Sequence, residues 1–238
     1  MNTILCIETG TAICSVALGQ NGELIDFEES HDPNNNHAKY LTQFISALLK
    51  RHSLSAKELS AVCVGKGPGS YTGLRIGVSA AKGICYGAGV PLVAIGSLEA
   101  MAQGAISKIA KEEVAIPDFL CPMIDARRME VYTQLFTPNG TAQSDVEAMI
   151  LDDSSFSSPL ANSKILFFGN GSSKAKDLLK SANALFLDDF LPSARFMIPL
   201  ADKLYNQSKF EDVAYFEPFY LKNFVATVAK NKVLGQKK

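Results

Sequence analysis

The segment Ile4–Gly22, ILCIETGTAICSVALGQNG, predicts a β-hairpin. ILCIETG is an apolar run of the buried-strand type, and Cys14, Val16 and Leu18 then alternate onto one face. Asn21-Gly22 supplies a tight turn into ELIDFEE. A second segment, Cys121–Gly140, CPMIDARRMEVYTQLFTPNG, lays over the first. Asp125 meets Glu8, and the alternating Val131, Thr133 and Leu135 meet Cys14, Val16 and Leu18. Asn139-Gly140 falls one residue from register with Asn21-Gly22. Further on, ILFFGNGSS (165–173) echoes AVCVGKGPGS (61–70): a strand, a G-x-G turn, serine, then a helix. Features matched in the same order predict an internal duplication.

Between hairpin and G-x-G strand the two copies differ. The first has an amphipathic helix over 36–50, with Tyr40, Leu41, Phe44, Ile45 and Leu48 at helical spacing and Asn36 as N-cap. The second has only DVEAMILDDSSFSSPLANSK, with room for at most a short helix. A helix over 72–88 follows the first glycine loop, VPLVAIG reads as a strand, and Ser97 is expected to cap the next helix. The expected fold is α/β: two duplicated domains with hairpin-led mixed sheets, 1–103 and a reduced 104–209. The segment 210–238 is apolar enough to pack back on the first.

Composition narrows the function. Hydrophobic residues make up 47% and charged ones 20%, the balance of a soluble protein. Acids and bases nearly cancel, 24 against 23, which argues against a globally steered nucleic-acid binder. No apolar run reaches the roughly 20 residues of a membrane span, and the N-terminus lacks the basic region of a signal peptide. Cys6, Cys14, Cys63, Cys85 and Cys121 form no C-x-x-C pair and read as reduced, buried thiols of a cytoplasmic protein.

The glycine loop VGKGPGSYTGLRIG, Val64–Gly77, feeds a helix N-terminus, where backbone N–H groups can hold an anion. Gly67, Gly69 and Ser70 are its candidate contacts, yet neither the Walker A nor the dinucleotide spacing is met. The following helix places Gly73, Gly77 and Ala81 on one stripe and Ser79, Gly83 and Gly87 on another. Each interior glycine costs about 1 kcal/mol relative to alanine, so another backbone is expected to approach closely, from the same domain or another subunit. Glu8 and Asp125, at equivalent strand ends, either flank a cleft and hold a metal-bound nucleotide or cap their own turns. His31, His37 and His52 have no second ligand at metal-binding spacing.

The blocks ILCIETGTAICSVAL, GKGPGSYTGLRIGVSAAKGI, PLVAIGSLEAMA and DARRMEVY together resemble the TsaB (YeaZ) family, strongly over the first 135 or so residues and weakly to FYLKN. The resemblance implies the actin-like ATPase (ASKHA, ribonuclease H-like) fold. It also implies a non-catalytic sister of TsaD, the subunit that transfers threonylcarbamoyl to the adenosine beside the anticodon, in a complex with the ATPase TsaE. TsaD-type proteins carry H-M-E-G-H, whose histidines bind metal; here the matching SLEAM puts Ser97 and Met101 at those positions, a poor and a soft ligand. The glycines are then expected to serve helix packing, not a phosphate. ATP or ADP is expected, if at all, only within the complex.

The family's interface is a bundle of the 36–50 and 72–88 helices with those of TsaD or of a second copy. This implies interface roles for Tyr40, Leu41, Phe44, Ile45, Gly73, Gly77 and Ala81, in a heterodimer with TsaD or a homodimer. Two residues depart from the family pattern: Met129 stands where DAR-x-G-EVY has glycine, and Gly10 replaces a common serine. tRNA is expected as an indirect partner through the complex; direct contact would rest on Lys222, Lys230, Lys232, Lys237 and Lys238. The rival reading is an active ATP-dependent kinase or metallopeptidase acting through Glu8, Asp125 and the two G-x-G turns.

Overall fold

The computed structural model describes residues 1–30, 36–112 and 116–222. Strands β1 (Thr3–Glu8), β2 (Cys14–Gln20), β3 (Glu23–Ser30), β4 (Ala61–Gly67) and β5 (Leu92–Gly96) form one sheet, in the order β3-β2-β1-β4-β5. The first three pair antiparallel through short turns, and β4 and β5 add in parallel. Parallel addition requires crossovers. Helices α1 (His37–Arg51) and α2 (Tyr71–Ala88) provide them. The second sheet repeats the plan with β6 (Phe119–Asp125), β7 (Glu130–Thr133), β8 (Glu147–Ile150), β9 (Ile165–Phe168) and β10 (Ala184–Leu187), ordered β10-β9-β6-β7-β8. Its pairings have the same directions. Its helices shrink to α4 (Ser157–Leu160) and α5 (Ser172–Lys176). A five-stranded sheet used twice in this order is the actin-like, ribonuclease H-like fold.

The G-x-G echo is geometric as well: Gly67 and Gly169, each closing a central parallel strand, have φ of 100° and 103°, a region in which a side chain is strained. Two details of the second copy differ from expectation. Glu8 pairs with Ser15 but Asp125 pairs with Val131, so Val131 stands at Ser15 and Thr133 at Ala17, one place from the match to Cys14 and Val16. The connection after Asp125 is one residue shorter. The stretch expected to hold at most a short helix also contains β8, paired antiparallel with β7.

Alternation along β1 serves both faces of the first sheet. Leu5 and Ile7 pack beneath α1 and α2 with Leu41, Leu48, Val78 and Ala81. Ile4 and Cys6 face the other way, onto Met197, Ile198 and Ala201. These last residues belong to a 3-10 turn (Ala194–Met197) and α6 (Ile198–Asn206), which lie within 104–209 yet close the underside of the first sheet. Helix α3 (Ser97–Glu112) fills the space between the sheets, with Leu98, Met101 and Ala105 against Leu120, Ile124 and Phe168.

The chain then runs back over the first domain. The Glu211 N–H donates to the Leu92 carbonyl, Lys82 Nζ donates to the carbonyls of Ala214 and Phe216, and the Phe219 N–H donates to the Lys66 carbonyl. Residues 223–238, with Lys230, Lys232, Lys237 and Lys238, lie outside the described residues, as does His31. All five cysteines are buried free thiols. No helix among the described residues is long and apolar enough to cross a membrane.

Candidate functional site

Glu8 ends β1 at 1% exposure. Its Oε1 accepts the Gly10 N–H at 2.6 Å and its Oε2 accepts the Ser97 hydroxyl at 2.9 Å. Burial pushes its pKa up, against the lowering effect of those hydrogen bonds. Gly65 closes the last side: a Cβ there would stand 2.3 Å from Glu8 Oε2. Asp125, its equivalent, is exposed; it pairs with Lys174 at 2.6 Å and accepts the Arg127 N–H at 2.6 Å. Glu8 is sealed and Asp125 is solvated, so the two do not form a matched pair of carboxylates.

The glycine loop is used by the protein's own chain. The Ser70 N–H donates to the Gly10 carbonyl at 2.6 Å, and Ser70 Oγ caps α2 by accepting the Gly73 N–H at 3.2 Å. A Cβ at Gly69 would stand 2.2 Å from the Gly10 carbonyl oxygen. The loop therefore clasps the β1–β2 turn, and a glycine is needed where the two backbones touch.

Helix α2 carries its small residues on two faces with different fates. A Cβ at Gly73 would stand 2.1 Å from the Thr9 carbonyl oxygen, and one at Gly77 would stand 2.3 Å from Thr9 Oγ1. Ala81 is fully buried over the sheet. Leu41 and Ile45 are core residues at 1% and 7% exposure. Tyr40 and Phe44 stack on each other at 5.6 Å, half-buried against the same core. Within the chain, Gly73 and Gly77 meet the β1–β2 turn, and Ala81, Leu41 and Ile45 pack into the core over the sheet.

The other stripe is open. Ser79, Gly83 and Gly87 are exposed, and a Cβ at Gly83 or Gly87 would meet nothing within 4 Å. With the outer side of α1, Ser79 and Gly83 of this stripe line two adjoining hollows of about 530 and 510 Å³, which share Thr42, Ser79 and Ala80. Leu41 and Ile45 reach only the floor of these hollows. Tyr86, seven residues beyond Ser79 and so on the same side of the helix, is 87% exposed. The sequence reading passed over Tyr86. An aromatic ring between glycines, in phase with the outward stripe, was the available signal.

The chain matches the family model for TsaD, described as tRNA N6-adenosine threonylcarbamoyltransferase, over residues 31–230. It is 31% identical over 229 residues to the tRNA threonylcarbamoyladenosine biosynthesis protein TsaB of Escherichia coli K12, across 94% of this chain and 96% of that one. The chain belongs to the TsaB family. The TsaB of Haemophilus influenzae is 30% identical over 233 residues, 94% of each chain. The solved structure of YeaZ from Pseudomonas aeruginosa shares the fold, with a TM-score of 0.79 at 23% identity over 93% of this chain and all of that one.

In this TsaB-family chain, the positions that match the metal-binding histidines of TsaD-type proteins serve packing. The Ser97 hydroxyl is engaged by Glu8, and Ser97 is the first residue of α3 rather than a cap preceding it. Met101 is fully buried between the sheets, where a Cβ on Gly169 would stand 2.4 Å from its Cε. A serine hydroxyl and a core thioether do not fit a hard divalent ion. Among the described residues, no three His, Cys, Asp or Glu side chains gather as metal ligands.

Proposed function

We propose that this chain is a non-catalytic partner subunit in tRNA threonylcarbamoyladenosine biosynthesis. It docks through the outward faces of α1 and α2 onto a TsaD-type catalytic sister and works alongside the ATPase TsaE, in the cytoplasm. The observation that carries the reading is the open Ser79, Gly83 and Gly87 stripe beside Tyr86, on a helix whose opposite small-residue stripe is already filled. Small residues let another helix approach closely, and an exposed tyrosine is a frequent anchor of an interface. In the absence of the sister, the same face suits a second copy. The sealed Glu8 and the packing roles of Ser97 and Met101 favour a subunit that does not perform the chemistry itself. Any ATP or ADP is held only within the complex.

The test is light scattering coupled to gel filtration, with the chain mixed with the H-M-E-G-H-bearing sister from the same genome. Wild type is expected to give a stoichiometric complex. Ser79→Arg and Gly83→Trp, which fill open space, are expected to abolish it while circular dichroism shows an intact fold. A complex that survives both substitutions would place the docking face elsewhere and refute the proposal.

A further inference from the structure

The connection after β6 carries charges that helix docking leaves unused. Asp125 pairs with Lys174 at 2.6 Å. Glu130 pairs with Lys222, whose ammonium also lies 5.8 Å from the centre of the Tyr132 ring. Each carboxylate of this connection therefore already has a cation. Between them, Arg127 and Arg128 are exposed, and neither guanidinium has an ion-pair or hydrogen-bond partner among the described residues. Both residues hold left-handed backbone, with φ of 70° and 52°. That region suits glycine and asparagine, so the turn geometry does not account for two arginines. The whole chain has a formal net charge of −1, which makes two uncompensated guanidinium groups on one tip a local feature. Met129, also at the tip, is 45% exposed.

We propose that the Arg127–Arg128 tip contacts the phosphate backbone of RNA, with the tRNA acted on by the complex as its occupant. The proposal rests on the tRNA-modification reading above. Guanidinium forks match phosphate oxygens, and such contacts fix the position of a nucleic acid without reading its sequence. Lys174 and Lys222 neutralise the neighbouring carboxylates, so the two arginines leave the tip with a net positive charge. Met129 offers an apolar side to a ribose or an unstacked base. The contact lies on the β6–β7 connection of the second sheet, whereas the groove is lined by α1 and α2 of the first.

The double variant Arg127→Asn/Arg128→Gly removes both charges and suits the left-handed backbone, so it should fold at least as stably as wild type. The probe is an unmodified tRNA transcript, titrated into the complex with the TsaD-type sister at several salt concentrations. Affinity should fall about tenfold or more, and the slope of log affinity against log salt should shrink by roughly one to two. Assembly with the sister should be unchanged. Unaltered tRNA affinity in an assembled complex would overturn the proposal and leave the docking reading standing. Loss of assembly with tRNA affinity unchanged would also overturn it, pointing to an acidic protein surface as the occupant. If the wild-type chains never assemble, the docking reading fails, and the same titration on the isolated chain decides this one.

Discussion

Gly77 and Gly83 lie on the same helix, and alanine at each should move stability in opposite directions. At Gly83 a Cβ meets nothing within 4 Å, so Gly83→Ala should gain the helix-propensity difference, about 1 kcal/mol. At Gly77 the same gain is outweighed. The new Cβ would stand 2.3 Å from Thr9 Oγ1, which is buried and donates to the Gly73 carbonyl at 2.8 Å. Displacing that hydroxyl costs roughly 1–3 kcal/mol for the buried hydrogen bond and another ~1–3 kcal/mol for overpacking. Net, Gly77→Ala should lose about 2 kcal/mol, leaving the two variants about 3 kcal/mol apart. Urea unfolding of the isolated chain, followed by far-ultraviolet circular dichroism, measures both. A Gly77→Ala variant as stable as wild type, or two shifts of the same sign, would mean that the inward and outward faces of α2 are misassigned.

Other outcomes follow from the same contacts. Tyr86→Ala should weaken assembly with the sister at least tenfold while leaving the urea midpoint unchanged, as isothermal titration would show; undiminished affinity would remove Tyr86 from the interface. Burial raises the folded pKa of Glu8 above the ordinary 4.5, so the stability tied to its proton is full below that value and lost as pH rises through the folded one. Glu8→Gln should therefore flatten the fall in urea midpoint as pH rises above 4.5; an unchanged slope would refute the assignment. Asp26 has the opposite sign: His52 and Arg51 hold its pKa down at about 2, so its contribution is present above the ordinary 3.8 and lost as pH falls through about 2. Asp26→Asn should be less stable than wild type near neutrality, and the gap should close in acid. A gap that persists below pH 2 would show that the loss is not electrostatic.

The hairpin and its repeat were legible because periodicity and turn chemistry are local: Cys14, Val16 and Leu18 alternate, and Asn21-Gly22 turns the chain whatever lies beyond. β8 was not legible, since Glu147-Ala-Met-Ile shows no clean alternation and pairs only because β7 is beside it. The two stripes of α2 are both made of small residues, so composition could not say which faced inward. Thr9 decides that, from more than sixty positions away in the chain. The Glu8–Ser97 hydrogen bond, spanning 89 positions, is likewise a product of tertiary packing.

The underside of the first sheet is closed by residues 194–206, and its upper flank is crossed by 211–219. During synthesis the first sheet therefore leaves the ribosome with one apolar face uncovered, and keeps it so while the whole second sheet is made. Ile4, Cys6, Ala17 and Val93 wait for a cover encoded at the far end of the message. The half made first is completed last, and a chain truncated before Ala194 would display that face to whatever holds nascent proteins.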